Sequence, residues 1–215
     1  MDYGYFGVSA LKHLPPTYRS KVLTLIETKK KKCSFIVEKK NLEYHDASKI
    51  TKWKDLVSGS TLVQPDKEFM ARHGKGKGIQ YLSFTAATYK IDNVSPAKDC
   101  CMLIIYRLKA PRKTSNNYVM IGDGDDSKPR WKTVGFSGSH SQLMITDCNG
   151  QMMKLDTFPK SSPLTSDVWH CLCVKWTAGG DSSVWVNAKK VKSFIAGNNS
   201  TSPIILGGRF LDDTT

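Results

Sequence analysis

Asp167-Val-Trp-His-Cys-Leu-Cys-Val-Lys-Trp176 runs through Thr177-Ala-Gly-Gly-Asp-Ser-Ser183 into Val184-Trp-Val-Asn-Ala-Lys-Lys-Val191. The passage reads as two strands joined by a glycine-rich turn, with a second turn at Asn187 and Ala188. Alternation puts His170, Leu172, Val174 and Trp176 on one face of the first strand and Trp169, Cys171, Cys173 and Lys175 on the other. Apolar groups on both faces predict an inner strand, covered from either side.

Short strands with turn punctuation extend outward from this hairpin. Cys100-Cys-Met-Leu-Ile-Ile-Tyr-Arg107 is apolar on both faces, as a central strand is. Cys33 to Val37, Ile79 to Phe84, Tyr118 to Ile121, Thr133 to Phe136, Gln142 to Thr146, Gln151 to Leu155 and Ile204 to Gly208 complete the predicted strands. Asp147-Cys-Asn-Gly150 carries the Asn-Gly pair of a tight hairpin. This pattern predicts an all-β, antiparallel two-sheet sandwich. Residues 1–32 do not read as sheet: Leu11, Leu14, Tyr18, Val22, Leu25 and Ile26 recur at helical steps behind Pro15-Pro16, so a short amphipathic helix is expected over 16–28.

Two segments resemble the concanavalin A-like lectin and glucanase superfamily, in its laminin-G-like and pentraxin-like forms. One is Asp46-Ala-Ser48 followed by Trp53, Asp55, Ser58 and Gly59, with Val57 inserted; the other is the Trp-led hairpin, where Ala188 stands at the family's glycine. The resemblance covers residues 33–210 and implies a jelly roll, so the expected division is an extension at 1–32 and a jelly-roll domain at 33–215. It also implies a last strand beyond Ile204-Ile-Leu-Gly-Gly208, which the residues up to Thr215 do not supply. An open sheet edge there would invite self-association.

Lys and Arg number 32 against 19 acids, a net charge of +13 in 215 residues. Such a balance favours a polyanionic partner, whether glycan, acidic protein or mineral surface. Nucleic acid is not expected, since no reader motif is present and arginine is scarce. No apolar run approaches ~18 residues, so no membrane partner is expected. Met1 to Ala10 lacks the basic start and apolar core of a signal peptide. An extracellular setting is nevertheless expected from the lectin resemblance and from the glycosylation acceptor patterns at Asn93, Asn198 and Asn199.

The enzyme reading fails on residue types. Glucan-cleaving relatives need paired carboxylates in Glu-x-Asp-x-x-Glu spacing on one strand, and Glu27, Glu38, Glu43 and Glu68 provide none. Gly135-Phe-Ser-Gly-Ser139 does not fit a nucleophile elbow, and Arg72-His-Gly-Lys-Gly-Lys-Gly78 reads as a flexible basic loop, not a phosphate cradle.

Two functions stay open. One is a non-catalytic, lectin-like module for anionic glycans, with Trp131 as a sugar platform and Lys128, Arg130, Lys75 and Lys77 as its cations. The other is a structural or matrix protein that self-assembles and binds anionic polymer or mineral. Asp123, Asp125 and Asp126 on the glycine-bearing loop after residue 121 form a candidate calcium site. The cysteines are Cys33, Cys100, Cys101, Cys148, Cys171 and Cys173. Cys171 and Cys173 lie about 7 Å apart on one strand, at or beyond the usual limit for a bridge to each other, so they reach neighbouring strands or stay as thiols.

Overall fold

The computed structural model describes residues 2–6, 33–35, 39–54, 60–76, 79–84, 87–91, 98–107, 118–123, 131–136, 142–155, 169–200 and 204–207. Their strands, in chain order, are β1 (Asp2–Phe6), β2 (Cys33–Phe35), β3 (Leu42–Tyr44), β4 (Ile50–Lys54), β5 (Thr61–Val63), β6 (Arg72–Gly76), β7 (Ile79–Ser83), β8 (Thr88–Ile91) and β9 (Cys100–Tyr106). They continue as β10 (Tyr118–Asp123), β11 (Val134–Phe136), β12 (Leu143–Thr146), β13 (Met152–Leu155), β14 (His170–Trp176), β15 (Asp181–Val186), β16 (Lys189–Ile195) and β17 (Ile204–Gly207). One sheet has the order β16-β15-β14-β9-β1-β2 and the other β13-β12-β11-β10-β17-β8-β5-β4-β3, while β6 and β7 form a separate two-stranded ribbon.

One apolar core joins the two sheets. Cys100, Met102, Ile104 and Tyr106 of β9 and Leu172, Val174 and Trp176 of β14 meet Trp53, Tyr89, Val134, Phe136, Leu143 and Ile145 from the larger sheet. Leu172, Val174 and Trp176 have no exposed surface, and each such burial stabilises the fold by about 2 kcal/mol. On the opposite face of β9, Cys101, Leu103 and Ile105 are buried as well, so the strand is covered on both sides as its sequence predicts. The antiparallel sandwich is therefore set by the hairpin at 169–191 and by β9 pairing along its full length with β14.

The turn between β15 and β16 has Asn187 at φ 49° and Ala188 at φ 64°. Two consecutive left-handed residues make the hairpin turn that matches strand twist, and alanine holds a conformation in which glycine is unstrained.

Two expectations are corrected. Residues 2–6, read as non-sheet, form a strand lying parallel between β9 and β2. Arg72-His-Gly-Lys-Gly76, read as a flexible loop, is a strand paired with β7 in the register Gly74↔Tyr81. A Cβ at Gly74 would sit 2.5 Å from the Tyr81 ring, so glycine is required there to let the ring lie across the ribbon. The predicted strand at Ile204 to Gly207 lies inside its sheet, hydrogen-bonded to β10 on one side and β8 on the other. The exposed edge strand β16 instead carries Lys189, Lys190 and Lys192, whose charges oppose pairing with another chain. The helix expected over 16–28 lies outside the described residues, as do Asp55 to Gly59 of the family-like segment. Among the described residues no helix is long and apolar enough to cross a membrane.

Candidate functional site

Trp131 follows β10 in the chain, and its surroundings are built from backbone hydrogen bonds. Asp123, the last residue of β10, is fully buried, and its Oδ1 accepts from Trp131 N–H at 2.7 Å and Lys132 N–H at 2.6 Å. Thr146, ending β12, donates its hydroxyl to the Trp131 carbonyl at 2.5 Å and accepts from Thr133 N–H at 2.7 Å. Trp131 is thus held at both its N–H and its C=O. The indole is half-buried, packs against the core, and lies 3.6 Å from where a Cβ on Gly150 would be.

Lys132 is also fully buried, and its Nζ donates to the Asn199 carbonyl at 2.6 Å. The Asn199 side chain donates to the Cys148 carbonyl at 3.0 Å, and Gly197 N–H donates to the Asp147 carbonyl at 2.7 Å. Asp147 Oδ1 accepts from Asn149 and Gln151 N–H, shaping the turn that the Asn-Gly pair predicts. Burial pushes the Cys148 thiol up to about 12, so it is protonated at neutral pH. Trp176 closes the underside by donating its indole N–H to the Thr146 carbonyl at 2.9 Å.

Of the residues singled out in sequence, Trp131 and Asp123 come together here. The Asp123 oxygen expected to face a cation caps two backbone N–H groups. Asp125, Asp126, Lys128, Arg130 and Lys77 lie outside the described residues, and no group of metal-ligating side chains forms among those described. Lys75 is exposed on the β6–β7 ribbon, a different sheet from the one that carries Trp131. Asn198 and Asn199 are both exposed, and Asn199 uses its amide nitrogen in the Cys148 contact.

Sequence reasoning missed Lys132 and a second aromatic cluster at the other end of β14. Arg107 stands 5.5 Å from the Trp169 ring centroid and 5.9 Å from that of Tyr81, and the two rings meet edge to face at 6.4 Å. Beside them His170 stacks on Tyr106 at 5.6 Å and shares a 3.1 Å hydrogen bond with Asn187. Alternation along β14 locates Trp169, but only the Gly74↔Tyr81 pairing brings Tyr81 within reach.

No protein-family model matches the sequence, and no curated protein matches it. Among solved structures the chain is similar to the binding domain of Paraclostridial Mosquitocidal Protein 1, at 15% identity and a TM-score of 0.53, over 81% of this chain and 45% of that one. The receptor binding domain of botulinum neurotoxin D aligns at 13% identity and a TM-score of 0.45, over 77% of this chain and 45% of that one. The likeness to the first is one of fold, a β-sandwich. This chain spans less than half the length of either neighbour.

Proposed function

We propose that the chain is a non-catalytic, lectin-like binding module of the concanavalin A-like, laminin-G-like kind, taking anionic glycans at the Trp131 end of the sandwich. The observation that carries the reading is the part-exposed indole of Trp131, packed against the core and beside Gly150 on a backbone anchored by Asp123 and Thr146. An aromatic face held in place before binding stacks on a sugar ring without losing rotamer freedom, which is how recognition sites limit the entropic cost of association. Lys128 and Arg130 precede the indole in sequence, and the chain as a whole carries +13. Both favour a ligand with carboxylate or sulfate groups. The neighbour of similar fold is, by its name, a binding domain, which supports a binding role over a catalytic one.

The test is a glycan array probed with the wild-type chain and Trp131→Ala at low and high salt. Binding to a restricted set of acidic glycans, retained in salt and abolished by the substitution, supports the proposal. Salt-sensitive binding to every polyanion, unaffected by Trp131→Ala, contradicts it and favours a general electrostatic surface.

A further inference from the structure

Cys101 Sγ and Cys173 Sγ lie 3.2 Å apart across the β9–β14 pair, on the sheet face turned away from the core. We propose that these thiols form a reversible redox site, converted to a Cys101–Cys173 disulfide by a small-molecule disulfide such as oxidised glutathione. The site is separate from the Trp131 surface and does not depend on its function.

Register explains both the proximity and the reversibility. Cys101 sits opposite Lys175 and Cys173 opposite Leu103, so the cysteines are diagonal neighbours across adjacent strands. Diagonal Cα atoms in antiparallel sheets are about 7 to 8 Å apart, beyond the usual span of a disulfide, so although the two sulfurs already touch, closing the bond requires the backbones to move together. Closing the bond therefore pulls on two central strands, and a bond under such tension is more readily reduced than an unstrained structural disulfide. Of the other cysteines whose side chains are described, Cys100 and Cys148 belong to the core, and Cys171 is two residues along the same strand from Cys173.

The two thiols are not equivalent. Cys101 is buried and Cys173 is partly exposed, so an external disulfide meets Cys173 first. The hydrogen bond from Cys101 holds the Cys173 thiol below its usual range, while the same contact together with burial pushes Cys101 well up. In the reaction the Cys173 thiolate attacks one sulfur of the external disulfide, breaking its S–S bond and releasing one thiolate, which takes up the proton. Cys101, as its thiolate, then attacks the Cys173 sulfur and displaces the second. The cysteines together lose two electrons and two protons, and the external disulfide is reduced to two thiols.

The experiment equilibrates the folded chain in graded mixtures of oxidised and reduced glutathione, quenches with acid, alkylates, and maps the cysteines by mass spectrometry. The expected product is a linked Cys101–Cys173 peptide pair, two hydrogens lighter, that disappears when reduced glutathione is in millimolar excess. Cys171→Ser should form the same link, whereas Cys101→Ser should leave Cys173 holding one glutathione. No link under the most oxidising mixture, a link to a different cysteine, or a link that survives excess reduced glutathione in the folded chain overturns the proposal. Wild type and Cys171→Ser decide the matter even if Cys101→Ser does not fold.

Discussion

The two ends of β14 are finished by different physics. At the Trp176 end, buried Asp123, Lys132 and Thr146 spend their polar atoms on backbone groups, and the loops are held by hydrogen bonds of 2.5 to 2.9 Å. At the His170 end, Trp169, Tyr81, Arg107 and Tyr106 meet mainly through ring faces and edges at 5.5 to 6.4 Å. Hydrogen bonds to a buried carboxylate are directional and costly to lose, whereas half-exposed ring contacts are individually weak. The first end is therefore suited to presenting a fixed surface, and the second to tolerating change.

Substitutions should expose that asymmetry. Asp123→Ala leaves two buried N–H groups without their acceptor and should lower stability by about 3 kcal/mol in chemical denaturation. Asp123→Asn, which keeps an acceptor oxygen, should cost clearly less. Thr146→Val removes a donor and an acceptor at once, and about 2 kcal/mol is expected. Arg107→Ala at the opposite end should cost no more than about 1 kcal/mol. A larger loss at Arg107 than at Asp123 would reverse the comparison.

Acid should weaken the His170 end. Burial lowers the His170 pKa below its ordinary value of 6.5, and burial is also the main cause lowering His73, which bonds Tyr44 at 2.8 Å. A histidine depressed in the folded state binds its proton more readily once unfolded. Stability is thus unaffected by these groups well above pH 6.5 and falls as pH drops below it, until the folded pKa is reached. His170→Asn should flatten the fall of stability with acid below pH 6.5, read by chemical denaturation across that range. The smallest change expected is a gain: Ala188→Gly relieves a left-handed alanine and should stabilise the hairpin by roughly 1 kcal/mol, read as a higher denaturation midpoint.

What was legible in the sequence follows the same division. The hairpin at 169–191 and the strand at 100–106 announce themselves because two-sided apolar patterns and local turn residues are written in adjacent positions. β6 does not, since its Gly-Lys-Gly composition makes sense only opposite Tyr81. β1 is short, and its partners lie far along the chain at Cys33 and Cys100. Trp131 was recognisable as an aromatic among charges, but its anchoring was not. A carboxylate in Gly122-Asp-Gly-Asp-Asp126 has the same sequence whether it binds a cation or caps backbone N–H groups, and only the folded backbone shows that Asp123 Oδ1 accepts from Trp131 and Lys132. Lys132 was indistinguishable from Lys128 and Arg130, because its partner, Asn199, is 67 residues away.

The central claim, that the hydrogen-bonded end is the one that binds, is tested most directly by titrating one acidic glycan selected on the array into wild type, Trp131→Ala and Trp169→Ala by calorimetry. At least a tenfold loss of affinity, about 1.4 kcal/mol, is expected for Trp131→Ala, and wild-type affinity for Trp169→Ala. Loss confined to Trp169→Ala, with both variants folded, would contradict it and move the site to the other end of the sandwich.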